Sequence, residues 1–247
     1  MTETITDVAD MPMLDRAEHE RLAAEAYEKL GELLGELTPD DWATHVPDCP
    51  AWDVRQLMGH VVGGMEANAS MRENLSQLRR GRRQPEPLPD AISAVQVEDR
   101  ADLTPEELIA AFDVVRDKAL RGRSRVPAPV RRITITSGWG DEKWRLGYLL
   151  ETIYTRDTWM HRFDICRATG RDPVRTADHD GRIVADAVAE WARRHGEPFD
   201  LVLEGPDGGH WSQGEGGEDL RLDAVEFCRL VSGRGEPSGL LDTEVPF

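Results

Sequence analysis

Residues 146–170, "LGYLLETIYTRDTWMHRFDICRATG", restrict the fold of this chain more than any other stretch. They read as one helix from about Leu146 to Thr169, with Gly170 as its C-terminal stop. Stepping about 100° per residue from Leu150, the residues Ile153, Tyr154, Ile165 and Ala168 fall within about 60° of one direction and mark an apolar stripe. Asp157, His161 and Asp164 land inside the same stripe, at about 340°, 20° and 320°. The face that this helix must bury therefore carries two carboxylates and an imidazole. An unpaired buried carboxylate costs several kcal/mol or takes up a proton, so any fold around this helix has to supply partners.

Asp157 and His161 stand four residues apart, which sets their side chains side by side on adjacent turns. A carboxylate oxygen and an imidazole nitrogen so placed can grip one divalent cation. A buried Asp–His pair, or a salt bridge to Arg156 or Arg162, would answer the same need without metal. A third ligand would come from another helix, and His60 in "RQLMGHVVGG" is the candidate. By itself it is weak, because it lies about 130° from the centre of its own helix's apolar stripe. Gly59, Gly63 and Gly64 leave room there for another backbone or a ligand.

The rest of the chain reads as a bundle followed by something smaller. A first helix spans about Leu14 to Leu37. A loop with Pro39, Pro47 and Pro50 leads to Asp53, which with Gln56 forms a capping box opening a second helix that runs to about Arg80. The segment "RRGRRQPEPLPDA" is expected as a mobile loop. Thr104 and Pro105 open a third helix ending near Gly122. Residues 126–144 are expected to be irregular or briefly extended before the fourth helix. After residue 175 the texture changes to a helix at about Asp180–His195, a strand "FDLVLEG", a glycine-rich turn with short strands, and a closing helix near Asp223–Ser232. The expected organisation is a disordered tail over 1–13, a four-helix bundle over 14–175 and a small α/β domain over 176–247.

Composition excludes several roles. With 47 acidic against 30 basic residues the formal net charge is −17, which repels phosphate backbones and anionic bilayers. No run of 18 or more apolar residues appears, and the acidic N-terminus has no secretory pattern, so the expected address is the cytosol. Of the basic residues only Lys29, Lys118 and Lys143 are lysines, a bias that points to a GC-rich genome. Cys49, Cys166 and Cys228 are far apart and read as small buried hydrophobes. Trp52 and Trp159 read as core or interface aromatics.

Two motifs carry a resemblance. "VPDCPAWDVRQLMGHVVG", with Pro50, Trp52, Asp53 and His60, and "DTWMHRFDICRATG", with an acid four residues before a histidine, resemble the DinB-like superfamily. More narrowly they resemble the mycothiol-dependent maleylpyruvate isomerase family of actinobacteria. "LDAVEFCRLVSGR" is similar to the closing helix of that family's second domain. The resemblance implies a mainly α fold: an up-and-down four-helix bundle joined to a small sterol-carrier-like α/β domain. It implies a divalent metal, zinc above all, held by His60, Asp157 and His161, with glutamate in the best-known isomerase where this chain has Asp157. It implies mycothiol as the thiol cosubstrate, attacking a small-molecule electrophile by cis–trans isomerisation or S-transfer. Asp164 would orient a ligand imidazole or an arginine, or else make a helix-packing salt bridge; Arg234 would act as an anion clamp for a carboxylate substrate or the thiol's polar groups, or else be a surface arginine. A metal-dependent hydrolase without thiol, or a non-catalytic ligand-binding member of the fold, stays open, as do monomer and homodimer.

Overall fold

The computed structural model describes residues 5–138 and 140–247. In chain order it contains β1 (Ile5–Asp7), α1 (Arg16–Glu36), α2 (Val54–Ala69), α3 (Met71–Gly81), α4 (Leu88–Glu98) and α5 (Pro105–Ser124). A hairpin of β2 (Thr134–Thr136) and β3 (Lys143–Arg145) precedes α6 (Tyr154–Thr169). Then come α7 (Arg182–His195), β4 (Phe199–Glu204), β5 (Gly209–Gln213), β6 (Glu218–Asp223) and α8 (Ala224–Val231). The fold is mainly α with a small sheet. The chain divides into two compact units, residues 19–172 and residues 5–18 together with 173–247.

In the larger unit, local chemistry starts the helices where the sequence says. Asp53 accepts from the Gln56 amide at 2.7 Å while the Gln56 side chain accepts from the Asp53 amide at 3.0 Å, a complete capping box. Thr104 and Glu107 cap α5 in the same way. Gly170 ends α6 in the left-handed conformation. The core is built by Leu30 and Leu34 of α1, Leu57, Met58 and Val62 of α2, Leu108 and Phe112 of α5, and Ile165 of α6. Each side chain of this kind contributes about 1.5–3 kcal/mol when fully buried. A π turn at Leu149–Ile153 leads into α6. Beside it Arg123 Nη2 donates to Thr155 Oγ1 at 2.8 Å and to the Glu151 carbonyl at 3.4 Å.

Two expectations are corrected. The second helix does not run unbroken to Arg80: Ser70 adopts extended backbone, φ −141° and ψ 115°, and its hydroxyl caps α3. The proline-rich segment expected as a mobile loop contributes the start of α4, because Pro89 sits in the first helical turn, where no amide hydrogen is needed. The stretch expected to be irregular or briefly extended is briefly extended at β2 and β3, with one helical turn at Ala128–Arg131 before them.

The smaller unit is a four-stranded sheet in the order β1-β5-β4-β6 with α7 and α8. β4 pairs antiparallel with β5 and parallel with β6, so the β5–β6 connection crosses the end of β4. Phe199, Leu201, Leu203 and Trp211 are buried, and Trp191 of α7 meets Phe199 and Phe227 ring to ring. The expected disordered tail over 1–13 is corrected from residue 5 onward: Ile5–Asp7 pair in parallel with His210–Ser212 as an edge strand. Residues 1–4 lie outside the described residues. No helix among the described residues is long and apolar enough to cross a membrane.

A tight helix approach in the larger unit falls where α2 ends against α5. A Cβ on Gly122 would lie 2.0 Å from the Asn68 carbonyl oxygen. Gly122→Ala gains up to about 1 kcal/mol of helix propensity, but overpacking of this kind costs roughly 1–3 kcal/mol, and here the obstacle is backbone. Denaturant unfolding of Gly122→Ala is expected to show a lower midpoint. An unchanged or raised midpoint would show that the two helices separate without cost.

Candidate metal centre

The N-terminal side of the site is a tightly hydrogen-bonded turn leading into α2. Val46 N donates to Trp52 O at 3.0 Å, Trp52 N to Cys49 O at 2.9 Å, and Val54 N to Thr44 O at 3.0 Å. The turn holds Cys49 and Trp52 against the start of α2, and the Trp52 ring stacks on the His60 imidazole, centroids 5.3 Å apart at 28°. His60 itself stands two turns into α2.

From α6 come Asp157, His161 and Asp164, and every residue from Thr158 to Cys166 is buried. His161 is 5% and Asp164 1% exposed, whereas the Asp157 side chain keeps 31%. His161 Nε2 lies 3.4 Å and His60 Nε2 3.7 Å from Asp157 Oδ1. The two imidazoles meet edge to face at 5.3 Å and 90°. All three ligand-type atoms lie within 4.8 Å of one another. Zinc–nitrogen and zinc–oxygen bonds of about 2.0–2.1 Å set the edge of a ligand tetrahedron at about 3.4 Å. The donor set therefore fits a single small divalent ion.

The backs of both rings are occupied. His161 Nδ1 is 2.8 Å from Asp164 Oδ2, and His60 Nδ1 is 2.8 Å from Gln96 Oε1. Asp164, ionised, can only accept, so His161 carries its first proton on Nδ1 and turns the Nε2 lone pair toward Asp157. Cys49 Sγ donates to Asp164 Oδ2 at 3.7 Å. Cys49, His161 and Asp164 also cluster within 4.8 Å. The 2.8 Å separation of His161 Nδ1 and Asp164 Oδ2 is that of a hydrogen bond and is shorter than the edge of a tetrahedral ligand set, so this trio reads as a buttress of the site.

Charge at the centre is strongly coupled. Burial opposes ionisation of Asp157, but the facing His161 cation and hydrogen bonds from His161 and His60 outweigh it and hold the carboxyl well below the usual carboxylate range. Burial likewise opposes the His161 cation, but the Asp157 charge and contacts with Asp157, Asp164 and Cys49 hold its pKa well above the ordinary imidazole value. The ionic neighbours of Asp157 among the described residues are these two imidazoles, not Arg156 or Arg162.

The structure thus brings together His60, Asp157, His161 and Asp164. Arg234 lies in the other unit, after α8, where its backbone amide donates to Arg229 O at 2.8 Å and its Nη1 to Ser232 Oγ at 3.1 Å. Sequence reasoning missed Gln96, because it lies in α4. The signal for it was present in Pro89 followed by the helically spaced Ala91 and Val95, both buried. Cys49, read as a small hydrophobe, is half-buried against Asp164.

Residues 23–166 match the family described as the mycothiol maleylpyruvate isomerase N-terminal domain. No curated protein matches the chain. Among solved structures, the crystal structure of the mycothiol-dependent maleylpyruvate isomerase is similar, at 17% sequence identity and a TM-score of 0.58, over 94% of this chain and 93% of that one. A variant of that enzyme with one histidine changed to alanine matches at 16% identity, the same TM-score and the same coverage. At this identity the likeness is one of fold.

The coupled pair makes the metal-free protein sensitive to pH in a defined direction. The lowered pKa of Asp157 gives stability that is present above about pH 3.9 and lost in stronger acid. The raised pKa of His161 gives stability that is complete below about pH 6.5 and lost as pH rises through its folded-state value. Thermal melts of chelator-treated protein are expected to show falling Tm from about pH 6.5 upward, with the slope flattened in His161→Ala. Equal slopes in the two proteins would show that the pair is not ionic.

Proposed function

The chain belongs to the mycothiol maleylpyruvate isomerase family, and from that premise we propose that it is a metal-dependent enzyme that uses mycothiol to attack a small electrophilic substrate. The observation that carries this reading is the convergence of three electron-pair donors, His60 Nε2, His161 Nε2 and Asp157 Oδ1, on one point. In the absence of a proton between them, these donors repel one another unless a cation sits among them.

A divalent ion held by His60, Asp157 and His161, zinc in this proposal, would supply the positive charge that lets a thiol ionise at neutral pH. The side chains do the rest. His60 and His161 present neutral imidazole lone pairs, and Asp157 offsets one of the two positive charges. Asp164 holds the His161 ring at a fixed angle through the 2.8 Å contact. Trp52 stacks on one face of His60. Asp157, one methylene shorter than glutamate, is the most exposed of the three donors and marks the open side of the centre.

In the reaction so assigned, the thiol sulfur adds to one carbon of the substrate's activated cis double bond. Rotation about the resulting single bond and expulsion of the sulfur give the trans isomer and return the thiol unchanged. Retention of the sulfur, with a proton taken up at the neighbouring carbon, gives S-transfer instead.

Elemental analysis of protein purified without added metal is expected to find close to one divalent ion per chain, lost in His161→Ala and in Asp157→Ala. Turnover of activated cis-alkenes should require mycothiol and fall at least about 100-fold in either variant, consistent with loss of a metal ligand. Turnover that persists without thiol would remove mycothiol from this reading. A protein that neither holds nor accepts metal would overturn it.

A further inference from the structure

Behind His60 runs a chain of buried amides that no part of the proposed reaction uses. Gln96 of α4 and Gln77 of α3 are both almost fully enclosed, at 4% and 2% exposure. Gln77 Nε2 donates to the Gly63 carbonyl at 3.0 Å and to Glu73 Oε1 at 3.0 Å. Both of those partners only accept, which fixes the orientation of the Gln77 amide. Its Oε1 must therefore face Gln96, whose Nε2 donates to it at 2.8 Å. The Gln96 oxygen is then the atom left to face His60 Nδ1, at 2.8 Å. An oxygen acceptor at that distance requires Nδ1 to carry the hydrogen. The direction of every bond is thus dictated from the far end, by a carbonyl and a carboxylate.

We propose that Gln96, held by Gln77, is a positioning residue that keeps the His60 proton on Nδ1 and so keeps its Nε2 lone pair free for the cation site; the proposal rests on the metal reading above. Without the relay, the acceptor beside the ring among the described residues is Asp157 Oδ1, 3.7 Å from Nε2. The proton would move to Nε2, where it blocks the ligand position. A cation would then have to displace it.

The fold makes room for this contact at one place. A Cβ on Gly63 would lie 2.6 Å from both Cβ and Cγ of Gln96. Only a glycine at that turn of α2 lets α4 come close enough for a glutamine to reach back to His60. The same Gly63 offers its carbonyl to Gln77, so one residue both admits the relay and anchors it.

The choice of an amide also fits the charge balance. Asp157 and Asp164 already offset the two charges of a divalent ion. A third carboxylate behind His60 would leave the centre negative, whereas glutamine fixes the tautomer at no charge.

Two measurements test the proposal. The first is the tautomer of the neutral His60 ring in metal-free protein, read from nitrogen-15 NMR of the ring. Wild type should carry the hydrogen on Nδ1, and Gln96→Leu should shift it to Nε2. The second is zinc affinity by competition with a chromophoric chelator. Gln96→Leu should bind about 10–100-fold more weakly. Gln96→Glu, which keeps the acceptor for Nδ1–H but loses the donor to Gln77, should bind at least as tightly as wild type. A purely structural role for Gln96 predicts that Glu is as harmful as Leu, and that result overturns the proposal. An unchanged tautomer in Gln96→Leu overturns it too. Gln77→Leu, which leaves Gln96 free to turn over, provides a second variant if Gln96→Leu does not fold, and should yield a mixture of tautomers. Absence of zinc binding in wild type with the tautomer shift intact would overturn the metal reading and leave the relay standing.

Discussion

Everything around the centre depends on how the negative charge of Asp157 is balanced on a helix otherwise enclosed by protein. An ionised carboxylate in that setting is tolerated only with strong local compensation, and two imidazoles converge on a single oxygen to provide it. One of these imidazoles comes from α6 itself. The other must be delivered by α2, which fixes where α2 crosses α6. The turn before α2, with its capping box and its cross-linked backbone, sets the start of that helix and places Trp52 and Cys49 along the site's flank.

The two imidazoles are supported unequally. His161 is backed by a carboxylate that is itself held by the Cys49 thiol, while His60 is backed by a neutral amide. Both supports leave Nε2 pointing inward, so the geometry is symmetric where the rings face Asp157 and asymmetric behind them. The raised pKa of His161 in the metal-free protein, opposed by burial, comes first from the Asp157 charge and contact, with the Asp164 hydrogen bond adding to it. The π turn ahead of α6 changes the angular phase of Leu150 and Ile153 relative to the residues of α6. It leaves the mutual angles of Asp157, His161 and Asp164 untouched, since all three lie beyond it.

Features governed by contacts within a few residues were legible in the sequence. The capping boxes at Asp53 and Thr104, and the left-handed stop at Gly170, depend on backbone groups three or four positions away and appear where expected. Features governed by distant partners were not. The edge strand at Ile5–Asp7 is too short to show a period, and its partner lies near the other end of the chain, at His210–Ser212. The break at Ser70 follows from the separate packing of α2 and α3, since the apolar pattern alone runs on through it. α4 was hidden by its own prolines, which in this chain begin a helix.

Sequence alone determined that Asp157, His161 and Asp164 share one face of a helix, because the backbone locks the angle between residues four and seven apart. It therefore determined that this face needs compensating partners. Which partners answer was decided only by the tertiary structure. His60 stands well off the apolar stripe of α2, yet it meets Asp157 because helices on several sides enclose α2. Gln96 reaches His60 because Gly63 lets α4 approach. Distances between helices are set by how whole faces pack, and that information is spread over residues far apart in the chain.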